Sequence, residues 1–369
     1  MLAVSGQLMN RDVSMATIEN GKLVWAEDSL LPLYLKRTGN LEQWLADRAI
    51  DSHRVNSRLL KKVLRLHNAD DVQTVLSVNA ATITDNYWFR PEGSQLTYAD
   101  IQFHENYFDG LALRGDPDGF SQKPSRTPEL TNIGSYEKCW RLKDGVWWMY
   151  KSGTQEEYFS ELFIAQLGAR LGFSMAEYEM DGDYIRTKDF THAAAVNFET
   201  ADGIVGEDDD YTHCFSLLYA LSPALAEEYL KIVWMDTLCF NMDRHTKNFG
   251  VLRDVESGEV LGMAPNYDNN VALISRGYSK DVTRSRDGLI RFYQEFLEQS
   301  PAAASMLYRM ELPKVTPEII QDCLRAVPIQ ADETYLQQFL LNGQQRMEEI
   351  LEAQFQMQAE LPEDMELDG

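Results

Sequence analysis

The most informative stretch of this chain is Asn241-Met242-Asp243-Arg244-His245-Thr246-Lys247-Asn248-Phe249. Asp243 is followed five residues later by Asn248, a spacing that is typical of the catalytic loops of phosphotransferases. In such a loop the acid holds the hydroxyl that attacks ATP, and the asparagine side chain binds a magnesium ion. Asp and Asn also favour ordinary turns, so the spacing alone is also compatible with a polar surface turn.

A predicted β-hairpin follows this stretch directly. Residues 249–264 contain two short β-prone runs around a turn at Ser257-Gly258. Because a hairpin brings its open ends together, we expect Asn248, before the first arm, to lie close to Asp268, after the second. With Asp243 nearby, these oxygen-bearing side chains would suit a Mg²⁺ ion that carries phosphates. A polar surface hairpin with turn residues at its base is the alternative.

The composition limits the classes of function. The 369-residue chain carries 34 Lys and Arg against 58 Asp and Glu, a formal net charge of −24. Phosphate groups would be repelled, so we expect no direct contact with nucleic acid. The acidity points instead, weakly, to a basic protein partner or substrate. Aromatic residues make up 11% of the chain, which indicates a packed globule.

Cysteine usage and hydropathy place the chain in a cellular class. The four cysteines are scattered without a CxxC pair, which favours buried free thiols over disulfides or a metal site. No run approaches the roughly 20 apolar residues of a membrane helix. The first residues also lack a basic segment followed by an apolar one. We therefore expect a soluble, cytoplasmic chain without membrane contact.

A second predicted hairpin turns at Asp144-Gly145 and ends in Lys151. By strand alternation, Lys151 shares a face with Trp147 and Met149. A lysine on so apolar a face is unusual unless its ammonium group has an anionic partner. The alternative is a lysine at the strand end whose ammonium group reaches water.

The element after this hairpin is a predicted helix that opens with the capping box Thr154–Glu157. Its packed stripe is expected to be Tyr158, Leu162, Ala165 and Ala169. Glu161 lies at the margin of that stripe, partly buried. A strand lysine followed by a helix glutamate is the arrangement of a kinase ATP site, although a solvated helix carboxylate is an alternative for Glu161.

Three further segments complete the pattern. Residues 131–138 lie where a phosphate-covering loop would lie, although Gly134 is the single glycine among them. A long helix is predicted to begin at Ser222-Pro223 and to lead directly into Asp243. The region from about 280 to 355 is also predicted to be helical.

With these residues together, the chain resembles the HipA family of bacterial serine/threonine kinases. The matching positions are residues 133–138, Lys151, Glu161, residues 243–249 and residues 264–268. With the flanking helices, the resemblance covers about the last two-thirds of the chain. It implies an α+β, two-lobed protein-kinase-like fold, with a small β-rich N-lobe, a mainly helical C-lobe and an additional N-terminal α/β segment.

The domain boundaries that we expect follow from this resemblance. They are an N-terminal subdomain of uncertain role at 1–125, a kinase N-lobe at 126–190, a helical C-lobe at 191–358 and a disordered acidic tail at 359–369.

The resemblance also implies roles for individual residues. Asp243 would be the catalytic base, Asn248 and Asp268 would bind Mg²⁺, and Lys151, oriented by Glu161, would contact the ATP phosphates. The further expected nucleotide contacts are Gly134 and Ser135 in the phosphate loop, Lys188 and Phe190 at the adenine, and His245 and Lys247 in the catalytic loop. Kinases of this family often phosphorylate a serine of their own phosphate loop. The matching position is Thr131, with Ser135 as a second candidate.

The family implies partners as well, and two other functions stay open. A HipA-like kinase acts on a protein substrate and is often a toxin–antitoxin component with an antitoxin-type regulator. A small-molecule or lipid kinase is a second hypothesis, because Asp-Arg-His-x-x-Asn is also the loop pattern of phosphatidylinositol kinases. Those enzymes follow it with Asp-Phe-Gly, whereas this chain has Asn266–Asn269, which favours a protein kinase. A non-catalytic binding protein with a kinase fold is the third.

Overall fold

The computed structural model describes residues 4–359, and their contacts divide the chain into two compact units. The first unit comprises the chain up to Gly153, Ala176–Ile204 and Gly250–Ala264. The second comprises Thr154–Met175, Val205–Phe249 and the chain from Pro265 onward. The acidic tail expected at 359–369 lies outside the described residues except for Ala359, the last residue of the final helix.

All the strands assigned between residues 4 and 359 belong to the first unit. They are β1 (Gly6–Asn10), β2 (Val13–Glu19), β3 (Lys22–Ala26), β4 (Tyr87–Pro91), β5 (Lys138–Lys143), β6 (Val146–Lys151), β7 (Tyr178–Asp181), β8 (Tyr184–Lys188), β9 (Asn197–Thr200), β10 (Gly250–Arg253) and β11 (Val260–Met263). They form three antiparallel sheets in the orders β3-β2-β1-β4, β5-β6-β8-β7 and β11-β10-β9.

The helices are distributed over both units. Those of the first unit are α1 (Leu33–Thr38), α2 (Leu41–Ala46), α3 (Val55–Val63), α4 (Asp71–Leu76), α5 (Tyr98–Ile101) and α6 (Asp109–Arg114), and α8 (Asp202–Val205) spans a boundary between units. Those of the second are α7 (Gln155–Arg170), α9 (Tyr211–Leu221), α10 (Pro223–Cys239), α11 (Gly288–Gln299), α12 (Pro301–Met310), α13 (Pro317–Ala326) and α14 (Glu333–Ala359). Two 3₁₀ helices, Pro117–Ser121 and Pro128–Thr131, lie in the first unit.

Two-residue turns produce the predicted hairpins. Asp144 and Gly145 join β5 to β6 with φ of 51° and 78°, the left-handed pair that a type I′ turn requires. Asn20 and Gly21 join β2 to β3 in the same way. The hairpin predicted for residues 249–264 is formed by β10 and β11, where Gly258 has a φ of 73°.

Helix α7 begins at the predicted capping box, in which the Thr154 hydroxyl accepts from the Glu157 amide and Glu157 accepts from the Thr154 amide. The helix is buried on nearly all sides, from Tyr158 to Gly168 with few breaks, so the prediction of one packed stripe was wrong. Ala169, expected inside that stripe, is exposed because it belongs to the last turn of the helix. Glu161 is 1% exposed, more deeply buried than its predicted place at the stripe margin.

Helix α10 begins at the predicted Pro223, and its core-facing residues are buried along its whole length. Its C-cap is Phe240, which takes a left-handed conformation with φ of 55° and turns the chain into residue 241. Helices α11–α14 confirm the helical character predicted for residues 280 to 355. All four cysteines are free and buried, as expected. Between residues 4 and 359, none of the helices has the length and hydropathy to cross a bilayer.

Candidate functional site

The loop after α10 is closed by its own asparagine. Asn248 is 2% exposed, and its side-chain nitrogen donates a hydrogen bond to the Asp243 carbonyl oxygen. Its Oδ1 accepts from the His245 amide at 2.9 Å. At the start of the loop, Asn241 Oδ1 accepts from the Asp243 amide at 3.2 Å. These contacts fix the backbone of Asp243, while its carboxylate stays exposed to solvent.

Arg244 joins this loop to the segment after the β10–β11 hairpin. A single guanidinium nitrogen, Nη1, donates to the Asn248 carbonyl oxygen at 2.7 Å and to the Tyr267 carbonyl oxygen at 2.9 Å. The second, Nη2, donates to the side-chain oxygens of Asn266 at 3.0 Å and Asn269 at 2.8 Å. The structure therefore brings the neighbourhoods of Asn248 and Asp268 together, as the hairpin predicted.

Asp236 of α10 completes the contacts of Arg244. The Arg244 Nε donates to Asp236 Oδ2 at 2.7 Å and Nη2 donates to Oδ1 at 2.9 Å, with side chains only 3% and 1% exposed. Burial by itself would lower the pKa of Arg244, but the adjacent Asp236 carboxylate raises that pKa above its ordinary value. Neither residue was predicted as part of the site. The signal in the sequence was an acid inside the predicted helix, seven residues before Asp243.

Asp268 lies between Tyr267 and Asn269, two of the residues that Arg244 contacts. It is half-buried and has a φ of 62°, and its amide donates to Glu161 Oε1 at 3.1 Å. A carboxylate on the rigid helix α7 thus accepts from the backbone at the position where a metal-binding acid was predicted. This contact of Glu161 was not foreseen, because the sequence suggested only a partnership with Lys151.

The donor chemistry of these residues fits a hard divalent cation. Asp268 supplies a carboxylate, and Asn248 Oδ1 retains a second lone pair beside the one that accepts from His245. Over residues 4–359 the structure contains no cluster of three or more His, Cys, Asp or Glu suited to a metal. A candidate magnesium site here therefore consists of one acid and one amide, to which phosphate oxygens would add ligands.

The first unit contains a pair of buried lysines, of which only Lys151 was predicted as a site residue. Lys151 and Lys138 are directly opposite each other in the β5–β6 pair and are 7% and 8% exposed. Directly opposite residues of an antiparallel pair point to the same face, where two positive charges repel each other unless an anion is near. Lys138 was missed as a site residue. The two-residue turn at Asp144-Gly145 fixes the register, so the pairing was present in the sequence.

The predicted phosphate loop lies immediately before Lys138. Gly134 has a φ of 100°, a backbone conformation that residues with a side chain rarely adopt, so glycine is favoured at this position. Ser135 is exposed. Thr131 is buried, and its hydroxyl donates to the Ala81 carbonyl oxygen at 2.7 Å. The two predicted phosphorylation sites therefore differ, since Thr131 is buried and Ser135 is exposed.

The remaining predicted nucleotide contacts occupy both units. Lys188 ends β8 opposite Trp148, and the Phe190 ring packs edge-on against Phe198 with centroids 5.2 Å apart. His245 and Lys247 are exposed in the predicted catalytic loop, in the second unit. There the Lys247 amide donates to His245 Nδ1 at 3.2 Å.

The family model described as the HipA-like C-terminal domain matches residues 134–330, more than half of the chain. No curated protein sequence matches significantly.

Solved structures provide two further comparisons. A chain of the Shewanella oneidensis MR-1 toxin–antitoxin complex of HipA, HipB and operator DNA matches with a TM-score of 0.63 at 13% identity, covering 94% of this chain and 99% of that one. The proinflammatory kinase CtkA of Helicobacter pylori matches with a TM-score of 0.47 at 18% identity, covering 60% and 94%. The first match confirms the expected α+β, kinase-like fold.

Proposed function

Because the chain belongs to the HipA-like C-terminal domain family, we propose that it is a kinase that transfers the γ-phosphoryl group of ATP to a serine or threonine hydroxyl of a protein. The observation that carries this proposal is the junction at Arg244. It ties the backbone of Asn248 to the segment that contains Asp268, so a base and two oxygen ligands occur in one constrained region.

Asp243 is the proposed base. Its carboxylate is exposed to an incoming hydroxyl, while its backbone is held by the side chains of Asn241 and Asn248. The carboxylate would accept the proton of that hydroxyl as the oxygen attacks phosphorus. Asn248 and Asp268 would hold Mg²⁺, which supplies neutralisation of the phosphate charge when it is bound.

The nucleotide contacts are proposed for both units. Lys151 and Lys138 would bind phosphate oxygens, because directly opposite residues of the β5–β6 pair present both ammonium groups on one sheet face. The backbone at Gly134 and Ser135 would approach the phosphates closely. Lys188 and Phe190 would meet the adenine, and His245 and Lys247 would contact the phosphates from the catalytic loop. Glu161 would act through the Asp268 backbone as well as on Lys151.

Self-phosphorylation is part of the proposal, with Thr131 or Ser135 as the acceptor. The exposure of Ser135 supports that residue. Phosphorylation of Thr131 would first require its hydroxyl to leave the Ala81 carbonyl oxygen. Mass spectrometry of the purified protein after incubation with ATP distinguishes the two sites.

A protein regulator is proposed on the basis of the Shewanella HipA, which was solved in complex with HipB and operator DNA. By analogy, this chain would act in the cytoplasm under an antitoxin-type partner that itself binds DNA. The net charge of −24 supports a partner with a basic surface and argues against direct binding of DNA by this chain.

Incubation with labelled ATP and Mg²⁺ tests the kinase proposal. We expect the wild type to label itself or a generic protein acceptor, and Asp243→Asn to lose at least a thousandfold in rate while still binding ATP. Asp144→Asn is the matched control, because Asn-Gly forms the same type I′ turn and should leave the rate unchanged. Absence of turnover together with absence of an ATP-dependent thermal shift in the wild type would contradict the proposal.

A further inference from the structure

Arg54 is a buried arginine of the N-terminal segment, 2% exposed, immediately before α3. Its Nε donates to the Gly134 carbonyl oxygen at 2.6 Å, and its Nη2 donates to the Asn132 carbonyl oxygen. One guanidinium group therefore donates hydrogen bonds to two alternate carbonyls of the predicted phosphate loop. Arg54 lies 80 residues before Gly134, where the family match begins, so nothing in that match assigns it a role.

The two gripped carbonyls determine where the neighbouring amides point. A trans peptide is planar, and its C=O and N–H groups point in opposite directions. With the Asn132 and Gly134 carbonyls turned toward Arg54, the Ile133 and Ser135 amides point away from it. Among the described residues, neither amide is engaged in a hydrogen bond. Nearby backbone amides that are directed to one side can bind an anion together.

Helix α3 holds the loop at a second point. The Asn56 amide, in the first turn of the helix, donates to Glu137 Oε1 at 3.1 Å. From the other end, the buried Glu129 accepts from the Asn132 side-chain nitrogen at 3.0 Å. The loop is therefore fixed by contacts with Arg54, helix α3 and Glu129, all of which lie outside it.

Arg54 does not have the contacts of a residue that serves stability alone. Its Nη1 is buried without a hydrogen-bond partner in the part of the chain that the structure describes, as are Asn132 Oδ1 and Glu137 Oε2. Buried polar atoms without partners lower stability, and they require an explanation other than packing. Orientation of the loop carbonyls supplies one.

We propose that Arg54 is a positioning residue that holds loop 132–137 in the conformation that receives the nucleotide phosphates. The N-terminal segment is then part of the nucleotide site and not a separate module. This inference rests on the proposed function. It predicts that removal of the Arg54 hydrogen bonds lowers the affinity for nucleotide more than it lowers the rate at saturating ATP. The reason is that the loop would be disordered before nucleotide binds.

The test compares Arg54→Lys with Arg126→Lys. Arg126 also grips backbone carbonyls of the same unit, those of Val78 and Ile101, but it does not contact the loop. Binding of the ATP analogue AMP-PNP with Mg²⁺ would be measured by calorimetry, and hydrogen exchange of residues 132–138 would be measured without nucleotide. We expect Arg54→Lys to bind at least tenfold more weakly and to exchange faster in the loop, and Arg126→Lys to match the wild type in both.

The possible outcomes separate this inference from the proposed function. Equal affinity and equal loop exchange in the two variants would overturn the role of Arg54 while leaving the kinase proposal intact. If the wild type binds no nucleotide, the kinase proposal fails, whereas the exchange measurement still decides whether Arg54 orders the loop. If Arg54→Lys does not fold, Arg54→Gln, which keeps an amide donor but is too short to reach both carbonyls, must show both changes, and its failure to do so overturns the inference.

Discussion

Arg244, in the proposed catalytic loop, forms a buried ion pair with Asp236 of helix α10. The planar guanidinium matches the two carboxylate oxygens and still has donors left for the carbonyls of Asn248 and Tyr267. A lysine at this position could supply the charge but not this fork of donors. We therefore expect the pair to determine both the stability of the second unit and the geometry of the catalytic loop.

Removing one partner of this pair should be costly. Asp236→Asn leaves a buried guanidinium without its counter-charge, and we expect a loss of about 3 kcal/mol or more in the free energy of unfolding by urea. Arg244→Lys should lower kcat more than it raises KM for ATP. The control is Arg325→Lys, in an exposed ion pair with Asp322, which should change stability by less than about 0.5 kcal/mol. Similar losses of stability in Arg244→Lys and Arg325→Lys would contradict the role assigned to Arg244.

Glu129 is a buried acid in the first unit that accepts from the Trp140 amide at 2.6 Å and the Asn106 side chain at 2.7 Å. Burial raises its pKa to about 7 from an ordinary value of 4.5, and these hydrogen bonds and Arg54 offset only part of that rise. The folded protein therefore holds this proton more tightly than the unfolded chain does.

This pKa gives stability a definite dependence on pH. The favourable contribution of protonated Glu129 is fully present below pH 4.5 and is lost as pH rises through about 7, a change of about 3 kcal/mol. The measurement is the unfolding free energy of the wild type minus that of Glu129→Gln at a series of pH values. We expect this difference to fall between pH 4.5 and 7 and then to level off. A constant difference across that range would refute the effect.

The residues that the sequence did not reveal share a physical cause. Arg54, Arg244 and Glu129 act through contacts with backbone groups or with residues distant along the chain, and no spacing rule links such partners. Asp243, Asn248 and Asp268 were predictable as a group because one short hairpin separates them. Lys138 falls between these cases, since the register that pairs it with Lys151 follows from a turn type that the sequence showed.

At the scale of elements, the capping of α7 and α10 provides a natural comparison. Both helices have a hydroxyl residue at the N-cap, but only Thr154 makes the side-chain bond, whereas Ser222 makes none. A proline at the first helical position does not prevent the cap bond, because Ser300 and Thr316 both make it before a proline. Thr154 and Ser222 therefore look equivalent in the sequence, but we expect them to contribute differently to the free energy of unfolding.

Substitution of the two caps should expose this difference. We expect Thr154→Ala to lower the free energy of unfolding by about 1 kcal/mol, because the Glu157 amide loses its acceptor. Ser222→Ala should change it by only a few tenths of a kcal/mol. Thermal and urea unfolding of both variants check this, and equal losses would show that the cap bond of Thr154 contributes nothing.

Hairpins and helix starts were the elements that the sequence predicted well, because both depend on residues next to each other. The left-handed pairs at Asn20-Gly21 and Asp144-Gly145 are local requirements of the turn. Pairing between distant strands was not predictable in this way. Strand β9 joins β10 across about fifty residues, and nothing in either short run specifies that partner.

At the scale of the whole molecule, the net charge of −24 is the dominant feature. Mutual repulsion of the excess acids opposes the compact state, and dissolved salt screens it within a Debye length of about 10 Å at 0.1 M. Buried pairs such as Arg244–Asp236 lie out of reach of the salt and should be little affected.

Stability should therefore rise with ionic strength. We expect the melting temperature to increase by a few degrees between about 0.02 and 0.3 M NaCl, because screening favours the folded chain more than the expanded one. Choline chloride at the same ionic strength is the control, since screening does not depend on the identity of the cation. A fall in melting temperature, or an increase seen with one cation alone, would exclude this explanation.

The division of the chain into two discontinuous units has a consequence for inheritance. The chain passes from one unit to the other after Gly153, Met175, Ile204, Phe249 and Ala264. A recombination event that joined two related genes at any of these points would exchange parts of both units at once. After a crossover at Gly153 or Met175, strand β6 would receive its neighbour β8 from a different parent. Variation in this protein should accordingly arise by substitution within one lineage and not by exchange of modules.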